Sequence, residues 1–141
     1  MLDEMAIRVD SCFDEKICHG YTNFDGQHDD SQLATNALVF MVVSINDKQK
    51  ITAGYFLIHK INGSQKANLV TQCLILLHDV GIKIVALTFD GLGANIKMAS
   101  DLGCDFSKLD KMVTTFSHPK SQEKIAVFLD PCHMLKLIRN C

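Results

Sequence analysis

The sequence has no block of like charge, no long apolar run and no glycine-rich phosphate loop, and each absence removes a class of function. Its 14 basic and 16 acidic side chains leave a net charge of −2 and are spread along the chain. Neither a basic nucleic-acid arm nor a membrane-surface helix is therefore advertised. The longest apolar run, Ala37 to Val43, falls far short of the roughly 20 residues that a membrane span requires. No charged segment leads into an apolar one at the N-terminus, as it would in a secretory signal. A soluble, unsecreted chain is expected. Gly-x-Gly-x-x-Gly and Walker A patterns are both missing, which disfavours a doubly wound nucleotide-binding domain.

The six cysteines, Cys12, Cys18, Cys73, Cys104, Cys132 and Cys141, contain no Cys-x-x-Cys. Several fall inside apolar patterns, whereas disulfide scaffolds are shorter and loop-rich, so reduced thiols packed as small hydrophobes are expected. Cys18-His19 and Cys132-His133 are adjacent pairs rather than spaced ligands, which argues against structural zinc. The acidic segment from Asp25 to Gln32 lacks the spacing and the distal glutamate of an EF-hand and reads as a solvated loop.

What the chain does have is 141 residues with 48% hydrophobic content, enough for one compact core spanning 1–141. Residues 2–9 read as a strand, Asp14-Glu15-Lys16 as a turn, and 17–24 as a returning strand. Residues 36–45 and 51–58 flank the polar Asn46–Lys50 connection and predict an antiparallel hairpin. Their nearly continuous hydrophobicity predicts a sheet covered on both faces. Ser64 is the expected N-cap of a helix whose apolar residues Leu69, Val70, Cys73, Leu74, Leu77 and Val80 repeat at three- and four-residue spacing up to Gly81. A strand over 82–89 follows, then a helix from near Leu92 to Gly103 with Ile96, Ala99 and Leu102 inward. A polar stretch broken by Pro119 leads to a strand at 124–129 and a helix that Asp130 caps and Pro131 starts. Antiparallel strands followed by βαβ units predict an α/β fold with a mixed sheet and helices on both sides.

In open α/β sheets, functional groups gather at the carboxyl ends of parallel strands. Asp90 and Asp130 are placed at such ends. Were the first strand to lie parallel to and beside the 82–89 strand, Asp3 or Glu4 would approach Asp90 across the roughly 4.8 Å strand spacing. Side-chain alternation allows only one of the two to do so. Paired carboxylates repel unless a divalent ion or a proton intervenes, and hard oxygen ligands suit Mg²⁺ or Mn²⁺ in two-metal phosphoryl transfer. A turn-forming Asp-Gly accounts equally well for Asp90, and N-capping accounts for Asp130 without any metal. His133, Lys136 and Arg139 share one face of the last helix by their spacing. Contact with DNA phosphate or a nucleotide, and a basic last turn that complements the helix dipole, both remain open for them.

Five segments in order are similar to the catalytic core of P-element-type transposases, including their vertebrate THAP-domain relatives. They are Leu2-Asp3-Glu4-Met5-Ala6-Ile7, Ala37-Leu-Val-Phe-Met-Val, Gly54-Tyr-Phe-Leu57, Leu87-Thr-Phe-Asp90-Gly91 with Asn95, and Phe128-Leu-Asp-Pro-Cys-His133-Met-Leu-Lys136-Leu-Ile-Arg139-Asn140. The resemblance spans nearly the whole chain. It implies an RNase H-like mixed five-stranded sheet, with Asp3 and Asp90 as catalytic, metal-holding acids for Mg²⁺- or Mn²⁺-dependent cleavage and joining of DNA at transposon ends, in the nucleus. It also implies GTP as a cofactor of full-length relatives, held by an insertion domain, and oligomerisation through regions outside this sequence. Against the family pattern, the sequence opens at Met1 without the zinc-coordinating DNA-binding domain. It closes at Cys141, before the insertion domain and a third acid, a Glu. The resemblance thus implies a partial core with little strand transfer or GTP binding of its own. The rival expectation is a domesticated, non-catalytic module of the same fold that binds DNA or a protein.

Overall fold

The computed structural model describes residues 1–14, 17–23 and 29–139. The chain divides into two compact units, Met1–Ile61 and Asn62–Cys141. Glu15 and Lys16 of the expected turn, and the start of the acidic segment from Asp25 to His28, lie outside the described residues.

The first unit is all β. Strand β1 (Leu2–Ala6) pairs antiparallel with β6 (Asn36–Val43), which in turn pairs antiparallel with β7 (Lys50–Ile58). Between them in sequence lie β2 (Cys12–Asp14) with β3 (Ile17–His19), and β4 (Tyr21–Thr22) with β5 (Asp29–Leu33), each pair a two-stranded ladder. The predicted hairpin of β6 and β7 is present. Its register shifts between Phe40 and Met41, and Phe40 meets Phe56 edge-on with ring centroids 5.9 Å apart. Three expectations are corrected. The strand from Ile17 returns onto β2 rather than onto the first strand, which pairs with β6. Part of the acidic loop is strand β5, whose polar sequence is paired by backbone bonds that sequence polarity does not report. And β7, an edge strand of its sheet, exposes every residue from Lys50 to Ala53 and also Tyr55, so only the central β6 approaches the two-sided coverage expected. Among the described residues of this unit, Leu2, Leu38, Phe40 and Ile58 are the large buried side chains.

The second unit is α/β. Helix α1 (Gly63–Asp79) leads to β8 (Ala86–Phe89), then α2 (Gly93–Leu102), a 3-10 turn at Leu109–Lys111, β9 (Thr115–Ser117), β10 (Lys124–Leu129) and α3 (Pro131–Arg139). The sheet order is β8-β10-β9, with β8 and β10 parallel and β9 antiparallel. Phe89, Met98, Ile125 and Val70 are almost fully buried, each removing apolar surface at roughly 25 cal/mol per Å². Among the described residues, each unit thus carries one three-stranded sheet, and the mixed α/β character expected is present.

Helix α1 is capped by Asn62, not Ser64. Asn62 Oδ1 accepts from the Gln65 amide at 2.9 Å while Gln65 Oε1 accepts from the Asn62 amide at 2.9 Å, a reciprocal capping box. Ser64 instead donates its hydroxyl to Asp101 Oδ2 on α2 at 2.6 Å. At the other end Gly81 adopts the expected left-handed conformation, φ +82°. Helix α2 ends on left-handed Gly103, also as expected. The strand expected over 82–89 shortens to β8, and β9 was not anticipated, since one apolar residue, Phe116, is its only inward signal.

Candidate metal centre

Asp90 follows β8 directly, and Asp130 follows β10. Because Leu129 is paired with Phe89 in the parallel ladder, the two acids emerge from adjacent strands at one end of the sheet. The Asp130 amide donates to the Phe89 carbonyl at 2.8 Å, locking that end. Asp130 Oδ1 accepts from the Cys132 amide at 3.0 Å and its carbonyl accepts from the Met134 amide at 3.0 Å. This is the capping role read from Asp130-Pro131.

Asp90 is half-buried and tied to the start of α2. Its Oδ1 accepts from the Leu92 amide at 3.2 Å, closing a turn over Gly91, and from the side-chain amide of Asn95. A carboxylate just ahead of a helix N-terminus is also favoured by the helix dipole. Asn95 is 4% exposed, and its Oδ1 accepts from the ammonium of Lys66 at 2.9 Å, itself only 2% exposed. Lys66 can reach across because Gly63 brings the first turns of α1 and α2 together. A Cβ at Gly63 would stand 2.7 Å from Lys97 Cβ and Cγ and 2.8 Å from the Ala94 carbonyl. The link from Lys66 through Asn95 to Asp90 was not foreseen. Its sequence signal is a lysine four and eight residues before Val70 and Leu74, on the apolar face of α1.

Asp3 lies on β1 in the first unit, opposite Val39 of β6. It is exposed and lines a shallow cavity of about 100 Å³ with Met1, Met5, Val39 and Met41. Its Oδ1 accepts from the Glu4 amide at 2.9 Å. Of the two acids on this strand, Asp3 therefore shares a face with Met1 and Met5, while Glu4 follows the pleat of buried Leu2. Asp3 and Asp90 belong to separate ladders, β1 with β6 and β8 with β10. Both offer hard carboxylate oxygens, a donor type that fits Mg²⁺ or Mn²⁺. Among the described residues, no group of three or more His, Cys, Asp or Glu is placed to hold a metal ion.

On α3, His133 is half-buried and Lys136 and Arg139 are exposed in the last turn, beside exposed Leu135 and Ile138. Cys73, Cys104 and Cys132 are free thiols, and burial raises the pKa of Cys73 and Cys104, which keeps both protonated and unreactive.

Residues 1–103 match the family model described as the TNP-like, RNase H N-terminal domain. The chain belongs to this family. It is 36% identical over 113 residues to the human DNA transposase THAP9, a match covering 79% of this chain and 12% of that protein. It is also similar to the solved Drosophila P element transposase strand transfer complex, with a TM-score of 0.73 and 25% identity, covering 99% of this chain and 27% of that one. The chain thus spans about an eighth of the length of the curated relative it matches. The mixed α/β fold is the RNase H-like fold expected for a P-element-type transposase core. Among the described residues, no helix is long and apolar enough to cross a membrane.

Proposed function

We propose that this chain is part of the RNase H-like catalytic core of a P-element-like DNA transposase, in which Asp3 and Asp90 hold Mg²⁺ or Mn²⁺ for cleavage and joining of DNA strands at transposon ends in the nucleus. The observation that carries the reading is Asp90 at the carboxyl end of a parallel strand, its Oδ1 held by two donors, in a chain similar to two transposases. When bound, the divalent ion supplies positive charge that activates a hydroxyl nucleophile and stabilises the phosphodiester's developing charge. The chain's own task is to hold two carboxylates in fixed orientations. Asp90 is fixed by Asn95 and the Leu92 amide, and Asp3 by the Glu4 amide and the pleat of β1. In this reading the exposed Lys136 and Arg139 meet DNA phosphates, and GTP binding belongs to the full-length relatives.

Calorimetric titration of the chain with Mn²⁺ tests this. Binding that is weakened at least tenfold by either Asp3→Asn or Asp90→Asn supports it, and binding indifferent to both substitutions overturns it. A second reading, a non-catalytic interaction module, draws on the exposed Leu135 and Ile138 beside Lys136 and Arg139 on α3. Absence of any Mn²⁺ binding together with DNA or protein binding lost in Lys136→Glu/Arg139→Glu favours that module instead.

A further inference from the structure

We infer that Lys66 and Asn95 are positioning residues that make Asp90 a one-oxygen metal ligand, leaving Oδ2 as the coordinating atom. The inference rests on the reading of Asp90 as a metal ligand. An ionised carboxylate only accepts, and a lysine ammonium only donates. The amide of Asn95, placed between them, is therefore fixed in one orientation: its oxygen faces Lys66 and its nitrogen faces Asp90. With the Leu92 amide as second donor, both lone-pair directions of Asp90 Oδ1 are filled. No described hydrogen bond reaches Oδ2. Two-oxygen chelation, the mode that suits larger, flexibly coordinated cations such as Ca²⁺, would require giving up these bonds.

The burial of Lys66 supports the same conclusion. An ammonium taken out of water is expensive, and an apolar side chain of similar volume commonly serves packing as well or better. A lysine at a 2% exposed position on the apolar face of α1 is thus poorly explained by packing alone. Its hydrogen bond polarises the Asn95 amide and strengthens donation to Asp90 along the chain of bonds. The helix contact at Gly63 and the bond of Ser64 to Asp101 hold α1 and α2 at the separation the bridge needs.

Residues that orient metal ligands typically change affinity by roughly 10–100-fold when removed. Lys66→Met and Asn95→Ala are each expected to weaken Mn²⁺ binding by that factor, with Lys66→Arg restoring part of it. A structural role alone predicts instead that affinity follows stability. Thermal melting of each variant separates the two, and Asn95→Ala, which leaves Lys66 in place, keeps the test open should Lys66→Met fail to fold. A second readout needs no metal. Exchange of the Asn95 side-chain amide protons, followed by NMR, should be slow in the wild type and fast in Lys66→Met. Loss of Mn²⁺ binding in Asp90→Asn with wild-type affinity in both Lys66→Met and Asn95→Ala overturns the inference but not the functional reading. No Mn²⁺ binding by the wild type overturns the functional reading, and an Asn95 amide exchanging as fast as an exposed one then overturns the positioning role as well.

Discussion

Gly63→Ala is the substitution whose effect the structure determines most sharply. In isolation, alanine in a helix is favoured over glycine by up to about 1 kcal/mol, so propensity alone predicts stabilisation. The new methyl would instead stand 2.7 Å from two stem carbons of Lys97 and 2.8 Å from the backbone oxygen of Ala94. Neither neighbour is the free end of a flexible chain, so the two helices must separate. Overpacking of this kind costs about 1–3 kcal/mol, which outweighs the propensity gain. The separation also lengthens the bond from Lys66 to Asn95. At Gly93, the first residue of α2, a Cβ meets nothing within 4 Å, and Gly93→Ala should stabilise by about 0.4–1 kcal/mol. The pair thus predicts opposite signs for the same chemical change at the starts of two touching helices. Urea unfolding followed by far-UV circular dichroism measures both. Gly63→Ala at or above wild-type stability would refute the close approach on which the Lys66 bridge depends.

Removing the capping box by Asn62→Ala should cost about 0.5–2 kcal/mol, whereas Ser64→Ala, which removes a bond between exposed groups, should cost less; urea midpoints compare them. Ile125→Ala, at a fully buried position of β10, should cost about 2–5 kcal/mol, visible as a lowered thermal midpoint. The carboxyl groups of Asp79, Asp101 and Glu123 are held below their ordinary values chiefly by hydrogen bonds from Lys120, Lys97 and Lys83. Groups with depressed folded values stabilise above the unfolded values, about 3.9 for Asp and 4.3 for Glu, and that stability is lost as pH falls through and below them. All three are exposed, so the loss should be small and shrink further in high salt; denaturant melts at successive pH values check it.

Much of this architecture was readable in the sequence, and the failures have physical causes. The helix of Leu69, Val70 and Leu74, its end at Gly81 and the stop at Gly103 follow from periodicity and left-handed glycine, local signals that tertiary packing did not overrule. The N-cap signal lies at Asn62 rather than at Ser64. Asn62-x-x-Gln65 carries the capping-box pattern, whereas Ser64 is followed three residues later by Ala67. Strands β5 and β9 leave little trace in the sequence because short ladders can be built from polar residues whose only commitment is backbone bonding. A strand end points to Asp90, and the resemblance points to both Asp3 and Asp90. Neither points to the Lys66–Asn95 bridge, because it joins residues 29 apart in sequence through a helix contact that only Gly63 permits.

Paramagnetic broadening by Mn²⁺ in ¹⁵N-labelled chain tests most directly the proposal that Asp3 and Asp90 are both metal ligands. At a small fraction of one equivalent, the amide signals around Asp3 and those around Asp90 should broaden together, and both effects should vanish in Asp90→Asn. Broadening confined to one of the two segments, or surviving that substitution, would contradict that proposal.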